Sequence, residues 1–465
     1  MNYLLAIAAT ALAVMAGWFV TVAPPGAIIV GAFAVGISIF AFFSPKLSLF
    51  LIVFSMLLSP EIGLGQLMPA RHIVIRYDDI LMVVIFISWF ARTAMDKSSA
   101  FIVDTPVHKP ILLYTVLCVV STGLGVLRGD VNAKISFFYV LKYVQYFLLY
   151  FMTVNIVQNK EEVKRYLRAG ALVALLVTVY AYYYYFSSTG NSRATTPFEA
   201  PLGNPDEAEP ASLGGYYLIV IGILLGFVSQ APLKISFLAM AGLAAILPAF
   251  LVTYSRASYI GLAAMLPTFL VISARRRLFI FTALLAFVLG AMLLPGISAR
   301  VADRVSTTFV GDLAARKVEF MGVRVNLEES AYLRYNSLRR VLTDRLPKHP
   351  FLGWGVTGIG LGDNQYALVL GELGIVGFFA FLWMLVRVFY AARAVYNGYD
   401  EFWIKAVAAG LMTALAGLLL QGLGVNTFII VRIMEPFWFL TALIMVLHRT
   451  LPELPGSGRN QGANA

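Results

Sequence analysis

The chain has 465 residues, of which 60% are hydrophobic and only 13% charged, and its mean hydropathy is +0.81. Soluble domains carry about 25% charged residues, so a string of water-soluble domains is excluded and a polytopic membrane protein is expected. The net charge of +11 then reads first as a topology signal, because Lys and Arg are retained on the cytoplasmic side, and second as affinity for an anion. It does not call for a nucleic-acid partner.

A spanning helix needs about 20 mostly apolar residues. In chain order such runs fall near 3–22, 26–44, 47–60, 79–94, 110–127, 135–157, 168–187, 212–229, 233–252, 257–274, 278–295, 365–390, 404–424 and 427–447. The first is read as a membrane helix and not as a cleaved signal. The third and fourth are short, as tilted or re-entrant helices would be. About 12 to 14 helices are expected, allowing for boundary error. The fold class is all-α: N-terminal helices over 1–295, a large hydrophilic loop with short helices over 296–364, and C-terminal helices with a short tail over 365–465.

Orientation follows from the basic clusters at Lys160, Lys164, Arg165 and Arg168, at Arg275 to Arg277, at Arg387 and Arg393, and at Arg449. If the helices alternate, these share the cytoplasmic side, and both termini with them. The opposite face receives a Pro-, Gly- and Asn-rich loop near 188–211 and the block 296–364. That block is itself basic, with Arg300, Arg304, Arg316, Lys317, Arg324, Arg334, Arg339, Arg340, Arg345 and Lys348. It is either an ordinary translocated domain or an anion-binding surface. Within it, 330–346 carries apolar residues at helical spacing.

Ionisable residues near the bilayer are costly and point to function. Arg256, at the outer end of a helix, is either a snorkelling side chain or a phosphate clamp, since guanidinium offers a planar fork of donors to anionic oxygens. Arg71 and Arg76 are expected to pair with Asp78 and Asp79. Lys142 is expected to bond a carbonyl or an acid inside the bundle. Arg432 and Glu435, three apart on one helix face, are expected to form an internal ion pair. Glu372 is read as either a proton acceptor or a packing partner. The single cysteine, Cys118, excludes an intrachain disulfide, and His72, His108, His349 and His448 show no metal-ligand spacing, so no metal site is expected.

Residues 349–382, HPFLGWGVTGIGLGDNQYALVLGELGIVGFFAFL, resemble a segment of the O-antigen ligase and Wzy-type polysaccharide polymerase family. The resemblance rests on His349, Pro350, Gly353, Gly355, Asn364, Tyr366, Glu372, Gly374 and Gly377, on Ser255-Arg256 opening a helix upstream of the long loop, and on Arg334 ahead of His349-Pro350. It covers the second half of the chain. The tryptophan that follows the family's second arginine is absent here, and Asp363 stands where ligases of the family have a histidine regarded as catalytic.

The resemblance implies a GT-C-like bundle in a bacterial inner membrane, with the large loop periplasmic. It implies a metal-independent glycosyltransferase without a cofactor. Its donor would be an undecaprenyl-pyrophosphate-linked oligosaccharide, and its setting membrane lipid with a possible partner in a chain-length-determining co-polymerase. The aspartate at 363 favours a polymerase of lipid-linked repeat units in exopolysaccharide or O-antigen biosynthesis over a ligase acting on lipid A-core. The implied roles are Asp363 as base and Arg256 and Arg334 as cations at the leaving pyrophosphate. Arg324, Arg339 and Arg340 would assist at the phosphates, and Tyr332, Tyr335, Tyr366 and Glu372 at the sugar. Asp363 also fits a helix cap. A transporter or flippase has a similar helix count, but the chain lacks the internal repeats and matched broken helices of that class.

Overall fold

The computed structural model describes residues 35–68, 71–95, 103–187, 193–199, 208–272, 276, 299, 306, 316–320, 323–360 and 362–451. The expected spans 3–22 and 278–295, with Arg300 and Arg304, lie outside the described residues. Of 26–44, residues 35–43 are helical.

Twelve labelled helices follow among the described residues: α1 (Pro45–Leu58), α2 (Tyr77–Met95), α3 (His108–Arg128), α4 (Ala133–Ile156), α5 (Lys160–Ser187), α6 (Pro210–Gln230), α7 (Leu233–Leu251), α8 (Arg256–Ile272), α9 (Glu329–Arg340), α10 (Gln365–Gly398), α11 (Phe402–Gln421) and α12 (Val431–Arg449). Eight of them, α3 to α7 and α10 to α12, are long and apolar enough to cross a bilayer. The chain is therefore a multi-pass membrane protein. α1 and α8, with 14 and 17 residues, are shorter. The all-α class holds for the bundle, and the connections add a detail that the apolar runs do not show. Two short antiparallel hairpins, β1 (Glu61–Met68) with β2 (Arg71–Arg76) and β3 (Arg316–Phe320) with β4 (Val323–Leu327), sit in connections between helices.

Burial sorts the helices into layers. The best apolar window of α12 is 89% buried and that of α11 is 72%, whereas that of α5 is only 28%. A helix that is apolar all round belongs inside or in lipid. Thus α12, α11 and α6, whose window is 78% buried, form the core of the bundle and α5 lies at its rim.

Side-chain ties define two ends. At one end Lys160 at the start of α5 pairs with Glu401 before α11 (2.8 Å), Lys46 pairs with Glu162 (2.6 Å), and Arg449 donates to the Val157 carbonyl (3.3 Å). At the other end α10 and α12 begin and α11 finishes, and Gln365 N donates to Gly422 O (2.9 Å).

A buried polar knot sits at this second end. Arg432 donates to the carbonyls of Leu57, Pro197, Ser59 and Phe198 and to Glu61 (3.0 Å). Arg76 Nη2 lies 2.8 Å from Asp78, 3.4 Å from Asp79 and 2.9 Å from Glu435. Gln145 also donates to Asp79 and Glu435. The expected Arg76 pairing holds. The Arg432–Glu435 pair is corrected, because each residue bonds a different partner. Asp78, Asp79 and Glu435 come close enough together to hold a metal ion, but the Arg76 guanidinium already supplies the positive charge among them. Lys142 stacks 5.7 Å over the Tyr139 ring.

The glycine-rich segment after Pro350 is explained by a break in α10. Gly374 has φ +67 and interrupts the helix. The break frees backbone groups, which the preceding loop takes up. Ile375 N donates to Pro350 O (2.8 Å) and Val376 N to Phe351 O (3.2 Å). In return Trp354 N donates to Gly371 O (3.0 Å) and Gly355 N to Glu372 O (2.9 Å). Gly353 lies at φ +65 against the Glu372 backbone. A side chain at either Gly353 or Gly374 would overlap the facing main chain.

Candidate functional site

The break between α7 and α8 builds one wall of a cavity. Tyr254 adopts φ +48, which turns the chain so that Ser255 and Arg256 open α8. Ser258 Oγ donates to Ser255 Oγ (2.8 Å), and Gln421 Nε2 on α11 donates to Ser258 Oγ and to the Ala211 carbonyl at the start of α6 (both 3.0 Å). One buried amide thus holds two edges of the cavity. Arg193 holds a third, donating to Thr253 O (3.0 Å) and Tyr254 O (3.2 Å), while Ala194 N donates to Val252 O (2.9 Å).

The opposite wall comes from the loop helix α9. Glu328, just before it, pairs with Arg256. Arg334 projects from the same helix, and its Nη2 lies 3.8 Å from Asp363 Oδ2. Arg193, Arg256, Arg334, Glu209 and Glu328 all line a cavity of about 300 Å³, at the lower end of the range for ligand pockets. The two arginines named from sequence therefore share one cavity, though 78 residues separate them (334 − 256). Burial pulls the Arg334 pKa below the usual arginine range, with Asp363 opposing and the Arg256 charge reinforcing the shift. The guanidinium remains protonated at neutral pH. Its Nε is buried and donates to nothing among the described residues, so it retains donor capacity.

Asp363 does not cap α10. Its neighbour Asn364 does, accepting from Tyr366 N and Ala367 N (both 3.0 Å). Asn364 Nδ2 also donates to Leu423 O (3.1 Å), and Asn426 Nδ2 donates to Gly362 O (2.8 Å). These bonds fix the backbone on both sides of Asp363, whose side chain is 57% exposed beside Arg334.

The remaining sequence candidates lie elsewhere. Glu372 is buried and accepts from Thr357 N (2.7 Å), inside the glycine-loop lock. Tyr366 Oη donates to Leu419 O (2.6 Å) and ties α10 to α11. Tyr332 and Tyr335 lie half-buried on α9 and do not line the cavity. Arg339 and Arg340 are exposed on faces of α9 turned away from Arg334 by its helical pitch. Arg324 belongs to β4, and its side chain is outside the described residues. Trp354 packs against His349 at 4.5 Å, with the Arg345 guanidinium 4.8 Å over its ring. Sequence reasoning missed Arg193, Glu209, Glu328 and Gln421. None carries a local pattern, and each acquires its role only when distant segments meet.

No protein-family model matches the chain, and no curated protein matches it in sequence.

Proposed function

We propose that the protein is a glycosyltransferase that polymerises lipid-linked oligosaccharide repeats. It takes a glycan from a polyprenyl pyrophosphate donor and adds it to a sugar hydroxyl of a second lipid-linked repeat at the membrane face that bears α9. The observation that carries this reading is that Arg256 and Arg334, from separate elements, line one cavity, with the Asp363 carboxylate 3.8 Å from Arg334.

The chemistry follows from those groups. The acceptor hydroxyl oxygen bonds to the donor's anomeric carbon, and the bond from that carbon to the pyrophosphate oxygen breaks. The electron pair leaves with the pyrophosphate, whose developing charge two guanidinium groups stabilise. The hydroxyl proton passes to Asp363, a carboxylate that is partly open to solvent and held in place by its neighbours' bonds. In this reading Glu328 occupies Arg256 in the resting state and gives way to the phosphate.

The test is polymer formation by Arg256→Ala and Arg334→Ala variants that still reach the membrane. Each is expected to abolish long polymer. Long polymer from both would remove the clamp. Lipid-linked glycans from a deletion strain separate the reading from a ligase. Accumulation of a single repeat supports polymerisation, whereas accumulation of finished polymer on its lipid carrier supports a ligase.

A further inference from the structure

A second pocket lies at the opposite end of the bundle from the cavity of Arg256. It has a volume of about 480 Å³ and is formed where α3 begins and α12 ends, beside the second half of α10. Lys109, Arg387, His448 and Arg449 line it, together with Trp383. We propose that this pocket binds the headgroup of an anionic glycerophospholipid.

Charge is the first argument. Three permanent cations meet one acid, Asp104, which is 84% exposed, lies 4.0 Å from His108 and pairs with none of them. Lys109 is exposed and makes no hydrogen bond or ion pair among the described residues. Arg387 spends Nε on the Pro106 carbonyl (3.1 Å), and Arg449 spends Nη2 on the Val157 carbonyl (3.3 Å). Each guanidinium is thereby anchored by one of its five donors and keeps others for phosphate oxygens.

The surface beside the pocket decides between a lipid and a soluble anion. Leu112, Leu113 and Val116 on α3, and Phe379, Trp383 and Val386 on α10, are all exposed. Acyl chains cover such a surface, and an amphiphile satisfies the pocket and the apolar wall together. Basic pockets between membrane helices on the positively charged side are suited to anionic headgroups. Beyond the pocket this end also carries Lys160 and Lys46, as the basic-residue rule requires of the cytoplasmic side.

The test is native mass spectrometry of the full chain in detergent, titrated with phosphatidylglycerol, with phosphatidylcholine and with inorganic phosphate. Phosphatidylglycerol is expected to bind more tightly than phosphatidylcholine, and inorganic phosphate at millimolar concentration is expected not to displace it. Lys109→Gln, which disturbs no bond, should weaken phosphatidylglycerol binding about fivefold. Lys109→Gln with Arg387→Gln should weaken it about 25-fold if the two charges act independently, and Arg387→Lys should restore most of the second loss. Equal binding of the two lipids overturns the proposal. So does unchanged phosphatidylglycerol binding in the double variant. Displacement by phosphate assigns the pocket to a soluble anion and overturns the lipid.

Discussion

Arg334 Nη2 stands 3.8 Å from Asp363 Oδ2, across the gap between the loop helix α9 and the start of α10. The cap of α10 belongs to Asn364, one residue further on. The two neighbours therefore have separable roles. Asp363→Asn should slow glycan transfer by about 10²- to 10⁴-fold, the usual worth of a general base, and leave thermal stability unchanged. Asn364→Ala should lower stability by about 1 kcal/mol or more, since a bond to Leu423 is lost as well, and should slow transfer less than Asp363→Asn does, because it loosens the base without removing it. Thermal unfolding and polymer assays on both purified variants decide it. A fully active Asp363→Asn enzyme would leave that carboxylate without a role in the reaction.

Glu328 competes with any anion for Arg256, because its carboxylate already pairs with that guanidinium. It makes no side-chain cap at the start of α9. Glu328→Gln should therefore tighten binding of inorganic pyrophosphate by roughly tenfold, or about 1.4 kcal/mol, without loss of helix stability. Isothermal titration of the purified variant reads this directly. Weaker binding would mean that Glu328 orients Arg256 for the ligand and does not compete with it.

The interlocked backbone at Gly374 makes a structural prediction that is independent of the chemistry. A methyl group there meets the Pro350 and Phe351 carbonyls, and the φ of +67 is strained for any side chain. Gly374→Ala should cost about 1 to 3 kcal/mol and lower the yield of folded protein in membranes. Gly123→Ala, on α3 with open space around the site, is the control and should be neutral or nearly so. Equal stability of the two variants would contradict the lock between the loop and α10.

The bundle was legible because lipid demands long apolar runs, and those runs are written locally. The pairing of Arg256 with Arg334 in one cavity was legible only through motifs, since nothing in a periodicity places residue 256 beside residue 334. The polar knot was half legible. Arg76 and its two aspartates are close in sequence, and they do pair. Arg432 and Glu435 share a helix turn, yet burial gives each of them several partners from other segments. A local pattern of charges cannot foretell that competition. Glu372 and Tyr366 belong to the resembling segment, and the bonds that occupy their side chains, from Thr357 N and to Leu419 O, come from segments that no local pattern brings together.

Glu61 supplies a pH signature for the knot. Burial pushes its carboxyl from 4.5 up to about 6, and the nearby Arg432 only partly offsets this. Between those pH values the folded chain holds a proton at Glu61 that the unfolded chain has released. Stability attributable to this group therefore falls as pH rises from about 4.5 to about 6 and is level above that window. The shift corresponds to about 2 kcal/mol. Glu61→Gln keeps an acceptor for Arg432 but cannot titrate. The stability of the wild type relative to this variant, followed by thermal unfolding in detergent across pH, should decline by that amount over the window. A rise instead would show that the charged pair with Arg432 outweighs the cost of burying Glu61, and that the knot is held by the ion pair itself.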